Sequence, residues 1–344
     1  MGQYVIAFAA SCLASFLLTP FLARLASKIG MLDHPSSDRW NKRTIPLMGG
    51  IAILMGTVAG VLATRSINTE LAAILVGGIL IAVFGVIDDR FGTHPKLKFA
   101  LQISLALCMV PFGVIVTLLP YRFLSIPLGI LWIVGLINAF NFLDNMDGLS
   151  SGIAAIAAFG LAALAFQTDQ IAFGVAALAL AGSCLGFLRY NFHPARIFMG
   201  DCGSMLIGFF LAVIAIGATR NHASSAFSTL IAPTIVLGVP IFDTTLVTVL
   251  RLKHRIAPWR GGKDHFSHRL VALGLSETKA VFILYILGAI LAFAGAAVIR
   301  SGIYATIALL TVLILAAVII AVKLARVECY KTKNNSIIHP TDAV

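Results

Sequence analysis

The sequence predicts an all-α integral membrane protein with 10 or 11 transmembrane helices and an active site on its cytoplasmic loops. Three observations lead there. Of the 344 residues 59% are hydrophobic and only 11% are charged, against roughly 45–50% and 25% in soluble domains. Long apolar runs recur from the N-terminus to about Lys323, many near the roughly 20 residues that a helix needs to cross a bilayer. The charges gather in the segments between those runs, and they are sorted by side.

Spans are expected at about 4–26, 48–64, 71–87, 99–118, 125–142, 152–167, 171–188, 204–219, 228–250, 279–299 and 303–323. Residues 1–23 lack a basic n-region, and the first positive charge, Arg24, follows the apolar run. This reads as a retained span that starts outside, not as a signal peptide. Alternate loops then face the cytoplasm, and with their flanks and the C-terminal tail they hold 21 of the 25 Lys and Arg. Only Arg65, Arg122, Arg220 and Arg300 fall outside, a bias that sets the orientation. Twelve of the fourteen acids share the inner side. Residues 1–325 are expected to form one membrane domain, and 326–344 a flexible polar tail. The net charge of +11 is thus a matter of topology, and no nucleic-acid partner is expected. The five cysteines are scattered without a C-x-x-C pair, which argues against a disulfide framework and a zinc site.

The inner loops carry the chemistry. The first runs from Asp33 through Pro35, Arg39, Asn41, Lys42 and Pro46 to Gly49-Gly50, either a shaped turn close to a ligand or a basic segment attracted to anionic lipid. The second begins Asp88-Asp89-Arg90 and reaches Lys98. Adjacent carboxylates repel unless a cation neutralises them, and Mg²⁺ commonly takes one or two carboxylates plus phosphate oxygens. The third reads Asn141-Phe-Leu-Asp144-Asn145-Met-Asp147-Gly148, where each acid at the centre of a membrane helix would cost roughly 2.5 to 3.5 kcal/mol. The fourth, Gly200-Asp201-Cys-Gly203-Ser204 before an apolar run, sets a carboxylate and backbone N–H groups at a helix N-terminus, a place that favours anions. The fifth, from Arg251 to Leu270, carries six Lys or Arg together with His265 and His268 and suits a polyanion. Asp243 is expected about two turns, or about 10 Å, inside the ninth span, as a cavity wall or as a structural contact.

Acids, amides, histidines and basic residues on one membrane face suit metal-assisted phosphoryl transfer from a soluble donor to a lipid acceptor. An ion-coupled transporter is the reading from another class. It would place acids near mid-bilayer and broken helices in paired halves.

Four ordered motifs, Asp88-Asp89-Arg90, Asn141-x-x-Asp144-x-x-Asp147-Gly148-Leu149, Phe198-Met199-Gly200-Asp201-x-Gly203-Ser204 and the His265 to Leu270 segment, resemble those of the polyprenyl-phosphate N-acetylhexosamine-1-phosphate transferases (glycosyltransferase family 4). The resemblance implies transfer of a sugar-1-phosphate from a UDP-N-acetylhexosamine to undecaprenyl phosphate with release of UMP, as the first membrane step of cell-envelope polysaccharide synthesis in the bacterial inner membrane. It implies Mg²⁺ or Mn²⁺, with Asp201 as the metal carboxylate and Asp88 and Asp89 at the lipid phosphate. Asp144 and Asp147 are taken with them as catalytic candidates. Lys98, Asn141, Arg251, His265, His268 and Arg269 are the implied substrate-binding residues. The partners expected are the UDP-amino sugar, undecaprenyl phosphate, membrane lipid and a second copy of the chain.

Two departures stand out. Ser267 occupies the middle of a motif that usually reads His-x-His-His, and Asn41 stands where a histidine is frequent. The first bears on the sugar: GlcNAc, GalNAc and a modified amino sugar such as FucNAc or QuiNAc all stand as donors. A MurNAc-pentapeptide donor is the alternative within the family.

Overall fold

The computed structural model describes residues 2–35, 43–65, 67–112, 122–220, 226–327, 329, 331–333 and 336–338. The first-loop residues Arg39, Asn41 and Lys42 lie outside the described residues.

The helices run in the order α1 (Gly2–Ile29), α2 (Gly49–Ala63), α3 (Thr69–Phe91), α4 (Pro95–Met109), α5 (Arg122–Leu143), α6 (Leu149–Gln167), α7 (Ile171–Asn191), α8 (Gly200–Thr219), α9 (Ala226–Val236), α10 (Gly238–Lys253), α11 (Phe266–Ala272), α12 (Glu277–Val298) and α13 (Ile303–Ala325). A two-residue pairing of β1 (Leu32–Asp33) with β2 (Ile45–Pro46) shapes the first loop. A short antiparallel pair, β3 (Lys331–Lys333) with β4 (Ser336–Ile338), lies in the tail.

Among the described residues nine helices are long and apolar enough to span a membrane, α4 counted with its continuation to Phe112, and α2, with 15 residues, is a shorter apolar helix. The ninth expected span, drawn as one helix over 228–250, is instead two: α9 and α10 meet at Leu237 with a bend of 78°. Pro240 explains the break, because it has no N–H for the carbonyl of Val236 and its ring crowds the preceding turn. Counted as one broken span, the pair brings the total to ten.

The centre of the bundle is α8. The whole of its apolar window is buried, against 6% for the peripheral α13. Its sequence from Cys202 to Thr219 is apolar almost all round, as a helix enclosed by other helices must be. Packed on it are α2, α3, α5, α6, α7 and α9. Gly85 of α3 allows a close approach, since a Cβ there would lie 2.6 Å from the backbone nitrogen of Cys202. Polar residues of α8 collect at its N-terminal end, and that end organises the site.

Candidate active site

Two carboxylates share one cation at the ends of α3, α4 and α8. Lys98, in the first turn of α4, places Nζ 2.5 Å from Asp201 Oδ2 and also in contact with Asp88 Oδ2. The other oxygen of Asp88 accepts the Thr93 N–H at 2.8 Å and the Thr93 hydroxyl at 2.5 Å. Asn141 of α5 donates through Nδ2 to Asp201 Oδ1 at 2.9 Å and to Ser204 Oγ at 3.0 Å. One turn deeper, Asn138 donates to Gln102 Oε1 at 2.7 Å, and Gln102 reaches Met205 Sδ at 3.7 Å. Polar groups this far from water need partners, and these partners hold α4, α5 and α8 in one register beneath the acids.

Asp89 has a different task from its neighbour. Its oxygens accept the backbone N–H groups of Asp201 at 2.8 Å and Cys202 at 3.1 Å. The anion expected at the N-terminus of α8 is therefore supplied by α3 itself, and Asp89 acts as an N-cap from a neighbouring helix. Gly200 makes room for it: its φ is +69°, and a Cβ there would lie 2.9 Å from Asp89 Cγ.

The turn between α5 and α6 brings Asp144, Asn145 and Asp147 to the same mouth. Asp147 Oδ2 accepts the Ala195 N–H at 2.9 Å and lies 3.0 Å from His193 Nδ1, so it ties this turn to the loop before α8. Asn145 accepts the Ser267 hydroxyl at 2.7 Å, which ties the turn to α11.

The fifth loop is pinned from below. Arg251 donates through Nε and Nη2 to both oxygens of Asp264 at 2.8 and 2.7 Å, and through Nη1 to the Pro258 carbonyl at 2.6 Å. This fork-to-fork pair is a geometry that suits guanidinium and carboxylate. Arg269 donates to the carbonyls of Asp264, Leu324 and Val327, and so ties α11 to the end of α13. It is the one expected substrate-binding residue that does not line the cavity. Its guanidinium holds carbonyls inside the protein. Asp243, fully buried in α10, accepts the Phe266 N–H at 2.6 Å and lies 2.8 Å from His265 Nδ1. Of the two readings of this residue, the structural contact is the one found. The His265 N–H points at His268 Nδ1 at 3.4 Å. Burial, with His265 next to it, pushes His268 down to about 3. Ser267 is 1% exposed and does not line the cavity.

These groups surround a cavity of about 600 Å³, within the range of small-molecule sites. Every expected site residue except Arg269 lines it: Asp88, Asp89, Lys98, Asn141, Asp144, Asp147, Asp201, Arg251, His265 and His268. Among the further wall residues that the motifs alone did not single out are Asp33, Thr93, Asn191 and Trp259. Of these Asp33, an acid at the head of the first loop, carried the plainest signal. Asp264, directly before His265, was also passed over.

Six carboxylates (Asp33, Asp88, Asp89, Asp144, Asp147, Asp201) face this space against three cations, Lys98, Arg251 and Arg260. Such a wall repels phosphates unless more positive charge arrives with them. Among the described residues no three His, Cys, Asp or Glu side chains form a ready cage for a metal ion. A divalent ion that takes one or two carboxylates and completes its shell with phosphate and water needs none. Asp88 and Asp201, whose oxygens already converge on the Lys98 ammonium, fit that requirement.

Residues 71–219 match the family model described as glycosyl transferase family 4. Across 93% of its length the chain is 36% identical to a probable undecaprenyl-phosphate N-acetylglucosaminyl 1-phosphate transferase of Bacillus subtilis, covering 92% of that protein. It is 33% identical to a decaprenyl-phosphate N-acetylglucosaminephosphotransferase of Mycolicibacterium smegmatis, over 84% of this chain and 80% of the relative. A phospho-N-acetylmuramoyl-pentapeptide-transferase of Nostoc is 30% identical, over 82% of each chain.

Proposed function

The chain belongs to glycosyl transferase family 4, and from that premise we propose that it transfers N-acetylglucosamine-1-phosphate from the UDP-sugar to undecaprenyl phosphate at the inner face of a bacterial cytoplasmic membrane. One observation carries the reading: the Lys98 ammonium held between Asp88 and Asp201 in an acidic cavity at the helix ends. A transporter would carry its acids near mid-bilayer, whereas Asp88 and Asp201 stand at the ends of α3 and α8, which suits a lipid headgroup meeting a soluble nucleotide. The names of the Bacillus and Mycolicibacterium relatives support the sugar.

A phosphate monoester has its second pKa near 6, so the lipid phosphate is mostly a dianion at neutral pH and needs no strong base. Alignment and charge neutralisation then carry the rate. Lys98 meets the lipid phosphate and lowers the cost of bringing two anions together. One of its oxygens forms the new bond to the β-phosphorus of the donor. The bond from that phosphorus to the oxygen shared with the α-phosphate breaks, and UMP leaves with this oxygen and the electron pair. The sugar keeps its bond to the transferred phosphate, which yields a lipid diphosphate sugar. Asp201, with Asp88 beside it, would hold a divalent ion, which when bound supplies charge neutralisation of the donor diphosphate. Asn141 keeps Asp201 turned into the cavity, and His265 and His268 face the donor.

The test is UMP release by purified protein with Mg²⁺ and undecaprenyl phosphate, offered a panel of UDP-sugars. Turnover with UDP-N-acetylglucosamine is expected. Absence of turnover with every UDP-amino sugar overturns the reading.

A further inference from the structure

We infer that Asp243 is a positioning residue: it holds His265 with the proton on Nδ1, and so presents Nε2 to the donor. The inference rests on the transferase reading above for what occupies the cavity, and on geometry for the rest.

Asp243 is 0% exposed. An ionised carboxylate only accepts hydrogen bonds. With Asp243 ionised, one oxygen takes the Phe266 N–H at 2.6 Å, and the contact of 2.8 Å from the other to His265 Nδ1 is a bond donated by the imidazole. Nδ1 keeps its proton in either charge state of the ring, and the nitrogen whose protonation can change is Nε2. Asp243 stands outside the cavity wall while His265 is part of it, so the ring bridges the buried acid and the ligand space. The ring is held in place by its neighbours: Phe142 meets it edge-on at 6.1 Å between centroids, and His268 at 5.6 Å. His268 is set the other way. Its Nδ1 receives the His265 N–H, which leaves the proton of the neutral ring on Nε2.

The two histidines therefore offer unlike nitrogens. His265 Nε2 accepts from a donor hydroxyl or amide N–H, or takes a proton and turns toward a phosphate oxygen, with Asp243 behind it to balance the charge. Such a partner sets the tautomer and orientation of a histidine, and a histidine with the wrong tautomer fails even where its geometry survives.

The variant Asp243→Asn separates this role from simple capping of α11. Asparagine still accepts the Phe266 N–H through Oδ1, but its Nδ2 donates to His265 Nδ1 and moves the ring proton to Nε2. The expected result is thermal stability close to the parent in detergent, kcat lower by roughly 10- to 100-fold and an unchanged KM for polyprenyl phosphate. The double variant Asp243→Asn/His265→Gln is expected to fall no further than His265→Gln alone, since the two residues act through one contact. The ring-nitrogen shifts of [15N]histidine-labelled wild type give a direct readout, with the His265 signal assigned by its loss in His265→Gln. A protonated Nδ1 is expected, whether or not Nε2 also carries a proton. An Nε2–H tautomer in the wild type, parental kcat in Asp243→Asn, or additive losses in the double variant would each overturn the inference. If Asp243→Asn fails to fold, the wild-type spectrum decides alone. If the wild type turns over no UDP-amino sugar, the transferase reading fails, and the spectrum still judges the tautomer.

Discussion

Asp89 of α3 accepts the first backbone N–H groups of α8, those of Asp201 and Cys202, at 2.8 and 3.1 Å. Two adjacent acids thus serve two purposes. Asp89 fixes the helix that carries Asp201, while Asp88 faces Lys98 beside it. Leaving buried N–H groups without their acceptor costs roughly 1 to 3 kcal/mol. Asp89→Ala is therefore expected to lower thermal stability as well as turnover. Asp88→Ala is expected to lower turnover with a smaller loss of stability, because Thr93 and Lys98 stand nearer the solvent-filled mouth. Parallel unfolding curves and UMP-release rates for the pair check this.

Lys98 is the cation between Asp88 and Asp201. Lys98→Met leaves those carboxylates facing each other without an ammonium. Loss of a preorganised electrostatic contact to the transferring groups is expected to reduce kcat by about 100-fold or more. The same change makes the cluster more negative, so its affinity for a divalent ion should rise. Mn²⁺ binding followed by electron paramagnetic resonance tests that sign. Weaker Mn²⁺ binding in Lys98→Met would place the ion elsewhere.

His268 is pushed down to about 3 by burial and by the neighbouring His265, below its ordinary value near 6.5. An unfolded chain then takes up a proton there between about pH 6.5 and 3 while the folded chain does not. Stability is full above pH 6.5 and falls as the pH drops through that window. The loss between pH 6.5 and 5 is on the order of 1 to 2 kcal/mol. His268→Gln, which keeps an acceptor for the His265 N–H, is expected to flatten the dependence of Tm on pH over this interval.

Much of this arrangement could be read from the chain. The membrane class and the grouping of Asp88, Lys98, Asn141 and Asp201 follow from composition and from the order of polar motifs at alternate loops. Which of the paired acids turns to Lys98 could not be read. It depends on the rotation of α3 about α8, set by the close approach at Gly85. The capture of Arg251 by Asp264, 13 residues on, depends on the path of the fifth loop, and periodicity says nothing about that path. The break at Leu237 was signalled by Gly238 and Pro240, but the predominantly apolar composition from 230 to 242 masked it. Asp243 looked ambiguous because its partner, His265, lies 22 positions away across a turn.

Ser267 is where the usual run of histidines is interrupted, and the sequence alone makes it a candidate for choosing the sugar. Its hydroxyl instead donates to Asn145 Oδ1 at 2.7 Å, and its side chain is buried away from the cavity wall. A contact of this kind contributes about 1 kcal/mol and holds α11 against the turn that carries Asp144 and Asp147. Ser267→Ala is therefore expected to lower stability by about that amount and to leave the ratio of kcat/KM between UDP-N-acetylglucosamine and UDP-N-acetylgalactosamine unchanged. Ser267→His forces a larger ring into a filled space, where overpacking commonly costs 1 to 3 kcal/mol. It is expected to destabilise without altering that ratio. A change in sugar preference in either variant would return the choice of donor to position 267. An unchanged ratio leaves it with the residues that line the cavity, His265, His268, Trp259 and Arg260 among them.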